Sequence, residues 1–330
     1  MAFAYFWKME QDSGGPIQTI NRNTSKRKKV LLYGTLFLMA LAVCGWLHLE
    51  CNVLPYIAIR PHRVDIFNGQ YLNGKVMPAD NGLKAEEFVV QGMDSAEIHG
   101  YFIPAEKAKG TIVLVHGIGA CKEFFFDFAK RLNKLQLNVA LFDLRAHGQS
   151  GGDYCTYGGK EVPDIIRVID HVQSCAPSAP IAIYGSSLGG AIALQVMSAD
   201  ERIRCGIIES TYHDLEAVMN QYWTNWTSWS CPNLVHRTLQ RSAAIAGFDP
   251  SLLNPSKHCA SIDRPVFFGH GSMDEKIPVE FNRKNYEALL SHDKLFVVVD
   301  GALHTNLHSC GGLNYERKYT EFLFNELKVN

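Results

Sequence analysis

Apolar and polar positions fall into short, regular blocks along this chain from about Glu86 to its end. "EEFVVQG" and "AEIHGYFIPA" alternate with a period of two, which predicts a hairpin. Six runs rich in β-branched residues follow: "GTIVLVHG" (110–117), "NVALFDL" (138–144), "IAIYGS" (181–186), "CGIIES" (205–210), "PVFFGHG" (265–271) and "LFVVVDG" (295–301). Runs that are apolar throughout suit strands covered on both faces, as in a parallel sheet. Between the strands the period changes. Phe124, Phe128, Leu132 and Leu135 recur at helical spacing, as do Val162, Ile165, Ile166, Ile169 and Val172. Strand alternating with helix predicts right-handed crossovers and a single α/β domain over 86–330, with a mostly parallel eight-stranded sheet and helices on both faces.

The first 85 residues follow a different pattern. Residues 30–49, "VLLYGTLFLMALAVCGWLHL", contain no Lys, Arg, Asp or Glu. At ~1.5 Å per residue, twenty such residues cover a hydrocarbon layer of ~30 Å. The basic "RNTSKRKK" (22–29) before them favours a cytoplasmic amino terminus. The expected order is a basic cytoplasmic tail (1–29), a transmembrane signal anchor (30–49), a linker (50–85) and a domain outside the cytoplasm, whether periplasmic, extracellular or lumenal. Two alternatives stay open. "Ala40-Leu41-Ala42" fits a cleaved signal peptide, with translation starting at Met9, and Cys44 is a candidate for lipidation.

Composition narrows the function classes. Apolar residues make up 47% and charged residues 20%, ordinary for a globular chain. The 32 basic and 33 acidic residues nearly cancel, so nothing electrostatic points to a nucleic-acid partner. The nine cysteines include no Cys-x-x-Cys pair, so no metal site is expected. They are read mainly as small buried apolar residues, with a disulfide or two left open.

Candidate chemistry lies in the Gly-x-Ser-x-Gly spacing, which occurs twice. In "IAIYGSSLGGAIAL" (181–194), Gly185 and Gly189 flank Ser187 between a buried strand and a helical pattern. That strand–turn–helix holds a serine at a strained apex, and a helix start offers unpaired N–H groups to a developing oxyanion. Ser186 is out of frame, with Tyr184 and Leu188 at −2 and +2. Ser150, in "RAHGQSGG", precedes loop residues rather than a helix.

With these segments in place, the chain resembles the α/β-hydrolase superfamily. "VLVHGIG" (113–119) is similar to its oxyanion-strand motif, "DLRAHGQSGG" (143–152) to a turn of its lipase-like and serine-aminopeptidase-like branch, "GHGSMDEKIP" (269–278) to the acid-bearing turn and "DGALH" (300–304) to the histidine loop. The resemblance implies the α/β-hydrolase fold and a triad in the order Ser187, Asp274, His304. His308 is the rival histidine and Glu209 the rival acid, while Asp143 and Asp300 read as structural turn formers. The oxyanion hole it implies uses the backbone N–H groups of Ile118 and Leu188, with Gly117 and Gly119 giving room and His116 orienting the loop. No cofactor is expected.

The insertion between the sixth and seventh strands (211–263) reads as a small helical lid. Its "YWTNWTSWS" places Trp223, Trp226 and Trp229 at every third position, near one face if helical, either touching lipid or packing on the core. Such a lid suits lipid-like esters, lysolipids, monoacylglycerols or thioesters. The alternatives are a peptidase or amidase of aminopeptidase type, with Glu209, Asp214 and Glu216 as acids for a free amine, and a catalytically silent binding member.

Overall fold

A computed structural model describes residues 17–64 and 74–327. Met9 and the other residues before 17, and positions 65–73 of the expected linker, lie outside the described residues. The chain divides into two units between Val53 and Leu54. The first contains helix α1 (Ile17–His48), which runs on through a wider helical turn, Leu49–Val53. Its apolar side chains, among them Leu31, Phe37, Leu38 and Trp46, are exposed, and it is long and apolar enough to cross a membrane.

The second unit starts with the short helix α2 (Leu54–Ile59). Strands β1 (Glu86–Gln91) and β2 (Glu97–Ile103) form the expected hairpin, with Phe88 opposite Gly100. There follow β3 (Gly110–Val115), α3 (Phe126–Lys134), β4 (Leu137–Phe142), α4 (Glu161–Cys175), β5 (Ile181–Ser186) and α5 (Leu188–Ala199). After β6 (Ile203–Glu209) the insertion forms α6 (Leu215–Thr227), α7 (Pro232–Ala246) and α8 (Pro255–Cys259). Strand β7 (Val266–Gly271), α9 (Val279–Ala288), β8 (Lys294–Val299) and α10 (Leu307–Glu326) complete the domain.

The eight strands form one sheet in the order β1-β2-β4-β3-β5-β6-β7-β8. Only the β1–β2 and β2–β4 pairs are antiparallel; the others are parallel. Two apolar layers cover the sheet. One joins α4 and α5 to side chains such as Val113 and Ile183; the other joins α3 and α10 to Leu114 and Tyr184. Side chains alternate along a strand, so a run covered on both faces must be apolar at every position.

Four expectations need correction. The expected linker does not extend to residue 85: Ile59 is fully buried in the main core, α2 packs against α7, and Ser242 Oγ donates to Pro55 O at 3.1 Å. Phe124 is not on the face of α3. A single tight turn, Lys122–Phe125, precedes the helix and resets its phase, so Phe126, Phe128, Ala129 and Leu132 face inward. The tryptophan pattern outruns its helix, because Ser228 takes a left-handed conformation (φ 62°) after α6 and Trp229 leaves the helical face. Trp226 and Trp229 are 75% and 78% exposed, so they do not pack the insertion onto the core. Finally, all nine cysteines are free and only Cys121, Cys155, Cys205 and Cys259 are buried.

If α2 is part of the cooperative domain, Ile59→Ala leaves a cavity that costs about 2–5 kcal/mol. Denaturant unfolding of the intact, detergent-solubilised chain should show that loss; an unchanged midpoint would mean that the segment is peripheral.

Candidate active site

The site grows from the turn between β5 and α5. Ser187 has φ 57° and ψ −122°, a conformation an L-residue adopts only when its surroundings force it. The forcing contact is close packing of helix and sheet. A Cβ on Gly189 would lie 2.1 Å from Val115 O, and one on Gly185 would lie 2.3 Å from Gly189 O. Ser187 N donates to Glu209 O at 2.9 Å and Thr211 Oγ1 donates to Ser187 O at 2.7 Å, which holds the turn from β6.

Two loops at the same sheet edge bring the other residues. His304, after β8, places Nε2 3.1 Å from Ser187 Oγ and Nδ1 2.7 Å from Asp274 Oδ2. Asp274, after β7, also accepts the N–H groups of Lys276 and Ile277 on Oδ1, both at 3.0 Å. His270 Nε2 lies 3.3 Å from Asp274 Oδ2 and 2.9 Å from Ile277 O. Burial opposes charge on Asp274, but hydrogen bonds from His270, His304 and Ile277, with the His304 charge, hold its carboxyl well below the usual range. The hydroxyl, imidazole and carboxylate therefore form one hydrogen-bonded line.

The other expected residues occupy distinct places. Leu188 is the first residue of α5, and Ile118 lines the cleft beside Ser187. His116 Nδ1 lies 2.8 Å from Gly117 O, and its Nε2 accepts the N–H of Leu144 at 2.9 Å. Burial and the neighbouring His147 push His116 down to about 4, so it stays neutral and holds the loop. Ser150 is buried away from the cleft, donating to Asp143 O at 2.7 Å. Ser186 lines the cleft but is not the serine His304 meets. Asp143 anchors the Lys122 turn through Lys122 Nζ (2.7 Å) and N (2.8 Å), and Asp300 accepts from Ser272 Oγ at 3.1 Å. The rivals Glu209 and His308 bind each other at 3.2 Å.

Residues 106–247 match the family model described as "Serine aminopeptidase, S33". The uncharacterized protein YfhR of Escherichia coli (strain K12) is 24% identical over 251 residues, covering 74% of this chain and 82% of its own. Monoglyceride lipase of Homo sapiens is 33% identical over 104 residues, which span 31% of this chain and 34% of the lipase. An esterase of Pyrococcus furiosus superposes with a TM-score of 0.67 at 22% identity, covering 82% of this chain and 98% of the esterase. The chain has the α/β-hydrolase fold.

Within this fold the cleft at Ser187 has a volume of about 410 Å³. Phe124, Phe125 and Phe128 line it together with groups for which the sequence carries no local signal: Arg131, Tyr184 and Lys276. Glu209 and His308 also line it. Burial opposes the charge on Glu209, yet His308 and the hydroxyls of Tyr184 and Tyr315 outweigh it and lower its pKa. Burial works against a charged His308 too, but Glu209 prevails and raises it above its ordinary 6.5.

A histidine with a raised folded-state pKa adds stability below its unfolded value, and loses that contribution as pH rises through the folded one. The stability advantage of the wild type over His308→Gln should therefore be larger at pH 6 than at pH 9 in denaturant titrations. A difference independent of pH would argue against a charged pair.

Proposed function

We propose that this protein is a serine hydrolase that cleaves carboxylic esters through an acyl-enzyme. Ser187 Oγ attacks the ester carbonyl while His304 Nε2 takes its proton. Asp274 holds the imidazole's tautomer through Nδ1 and balances its charge. The N–H groups of Ile118 and Leu188 receive the oxyanion. His304 then protonates the departing alcohol, and water, deprotonated by the same imidazole, releases the acid. The observation that carries this reading is the line from Ser187 Oγ through His304 to Asp274, at 3.1 and 2.7 Å.

Ester chemistry is favoured over aminopeptidase chemistry by the state of the acids near the cleft. Grasping a substrate ammonium needs a carboxylate with free oxygens. Glu209 already accepts from Tyr184, Tyr315 and His308. Asp214 caps α6 through Ala217 N and accepts from Asn254, and Glu216 pairs with His236 at 3.1 Å. The names of the lipase and esterase relatives agree with an ester substrate, whereas the matching family model carries an aminopeptidase name. A silent binding member lacks support, since hydroxyl, imidazole and carboxylate are all present and in contact.

A fluorophosphonate probe should label the wild type and not Ser187→Ala. Asp274→Asn should lower turnover of p-nitrophenyl butyrate by roughly 10³–10⁴-fold, the size of effect expected when the imidazole loses its orienting carboxylate. An unlabelled wild type would favour the silent reading.

We further propose that α1 anchors the chain in a membrane, with the hydrolase domain outside the cytoplasm. Supporting this are its exposed apolar surface and the basic residues of 22–29 at its amino side. Trp226 and Trp229, exposed on the insertion, suit contact with a lipid-like substrate or the membrane surface. An anchored chain should stay with membranes after alkaline carbonate extraction, and a cleaved one should not.

A further inference from the structure

The cleft contains a second imidazole–carboxylate pair that the proposed chemistry does not use. Tyr184 Oη and Tyr315 Oη each donate to Glu209 at 2.6 Å, and His308 Nε2 lies 3.2 Å from both carboxylate oxygens. Two phenols and the His308 ring thus satisfy the buried carboxylate, which in turn favours the protonated form of that ring. His308 is boxed by the rings of Phe128 (4.9 Å), Tyr319 (5.4 Å) and Tyr315 (5.5 Å), which fixes its orientation. Its Nε2 is committed to Glu209; among the described residues its Nδ1 has no hydrogen-bond partner, and the residue lines the cleft.

The remaining charges on the cleft wall are cationic. Arg131 stands on α3 with its guanidinium 5.4 Å from the Phe128 ring, and Lys276, two residues past Asp274, also lines the cleft. The groups facing His308 are Glu209 from β6, Tyr184 from β5, Arg131 from α3, and Tyr315, Glu316 and Tyr319 from α10. Glu316 lies 3.6 Å from Arg131 but does not line the cleft. An alkyl chain laid over the Arg131 guanidinium would take its charge out of water without adding a partner, at a desolvation cost. A carboxylate would accept from that guanidinium, whose planar fork suits it.

Resting on the reading of Ser187 as nucleophile, we propose that the cleft selects esters bearing a small anionic group, held between His308 Nδ1–H and the Arg131 guanidinium. His308 and Arg131 are then specificity-determining residues, and the apolar wall of Phe124, Phe125 and Phe128 carries the part of the substrate between anion and ester.

The test uses the full-length chain in detergent at pH 7. One arm places the anion on the acyl half, comparing p-nitrophenyl butyrate with the p-nitrophenyl monoesters of succinic, glutaric and adipic acids. The other places it on the alcohol half, comparing 4-carboxyphenyl butyrate with its methyl ester. In one arm kcat/KM should favour the carboxylate by about tenfold, mainly through KM, the size of effect a charge-assisted hydrogen bond provides. That preference should fall towards unity in R131Q and in H308Q. Arg131 is half exposed, so R131Q still decides the matter if H308Q does not fold. A wild type that labels with fluorophosphonate yet favours the neutral ester in both arms overturns this proposal alone, as does a preference that survives R131Q. A wild type that neither labels nor turns over any ester overturns the hydrolase reading, and this proposal with it.

Discussion

The close approach of α5 to β3 is the constraint on which the site depends. Gly189 leaves no room for a side chain between helix and strand, so the chain must reverse sharply at Ser187 and accept a left-handed φ there. The cost of that conformation is offset because β5 is central in the sheet, paired to β3 on one side and β6 on the other. The same geometry sends the Ser187 side chain off the sheet edge and sets the first turn of α5, with its unpaired N–H groups, behind it. The parallel strands end at this edge, so the last residue of β6 and the loops after β3, β7 and β8 bring Glu209, Ile118, Asp274 and His304 to one place.

Three buried carboxylates near that edge differ through their partners. Asp143 meets the Lys122 ammonium and two backbone N–H groups, a closed arrangement that ties the turn before α3 to the end of β4. Asp274 receives backbone N–H groups on one oxygen and two imidazoles on the other, so its charge is directed at His304. Glu209 receives phenols and an imidazole, which keeps it ionised inside a cleft wall. Environment, and not residue type, decides which acid ties a turn, which meets His304 and which is held among phenols.

Much of this was readable from the chain. The strands lie within two residues of the apolar runs that predict them, because a strand buried on both faces has little choice of residue type. Ser187, Asp274 and His304 sit on short turns directly after such strands, so their motifs mark where each side chain emerges. The failures also have causes. The phase of α3 follows from an anchored turn that starts with Lys122, whose partner Asp143 is 21 residues away. Residues 54–64 look like linker until α7 covers α2. Trp229 depends on one left-handed residue, Ser228.

By itself the sequence determined the order of strands and helices and the turns that carry Ser187, Asp274 and His304, because these follow from local periodicity and short turns. The tertiary structure alone decided that His304 rather than His308 meets Ser187, and that Glu209 is occupied by Tyr184, Tyr315 and His308. Those contacts join residues as many as 117 positions apart, and only the closing of the sheet and its covering helices brings them within hydrogen-bonding distance.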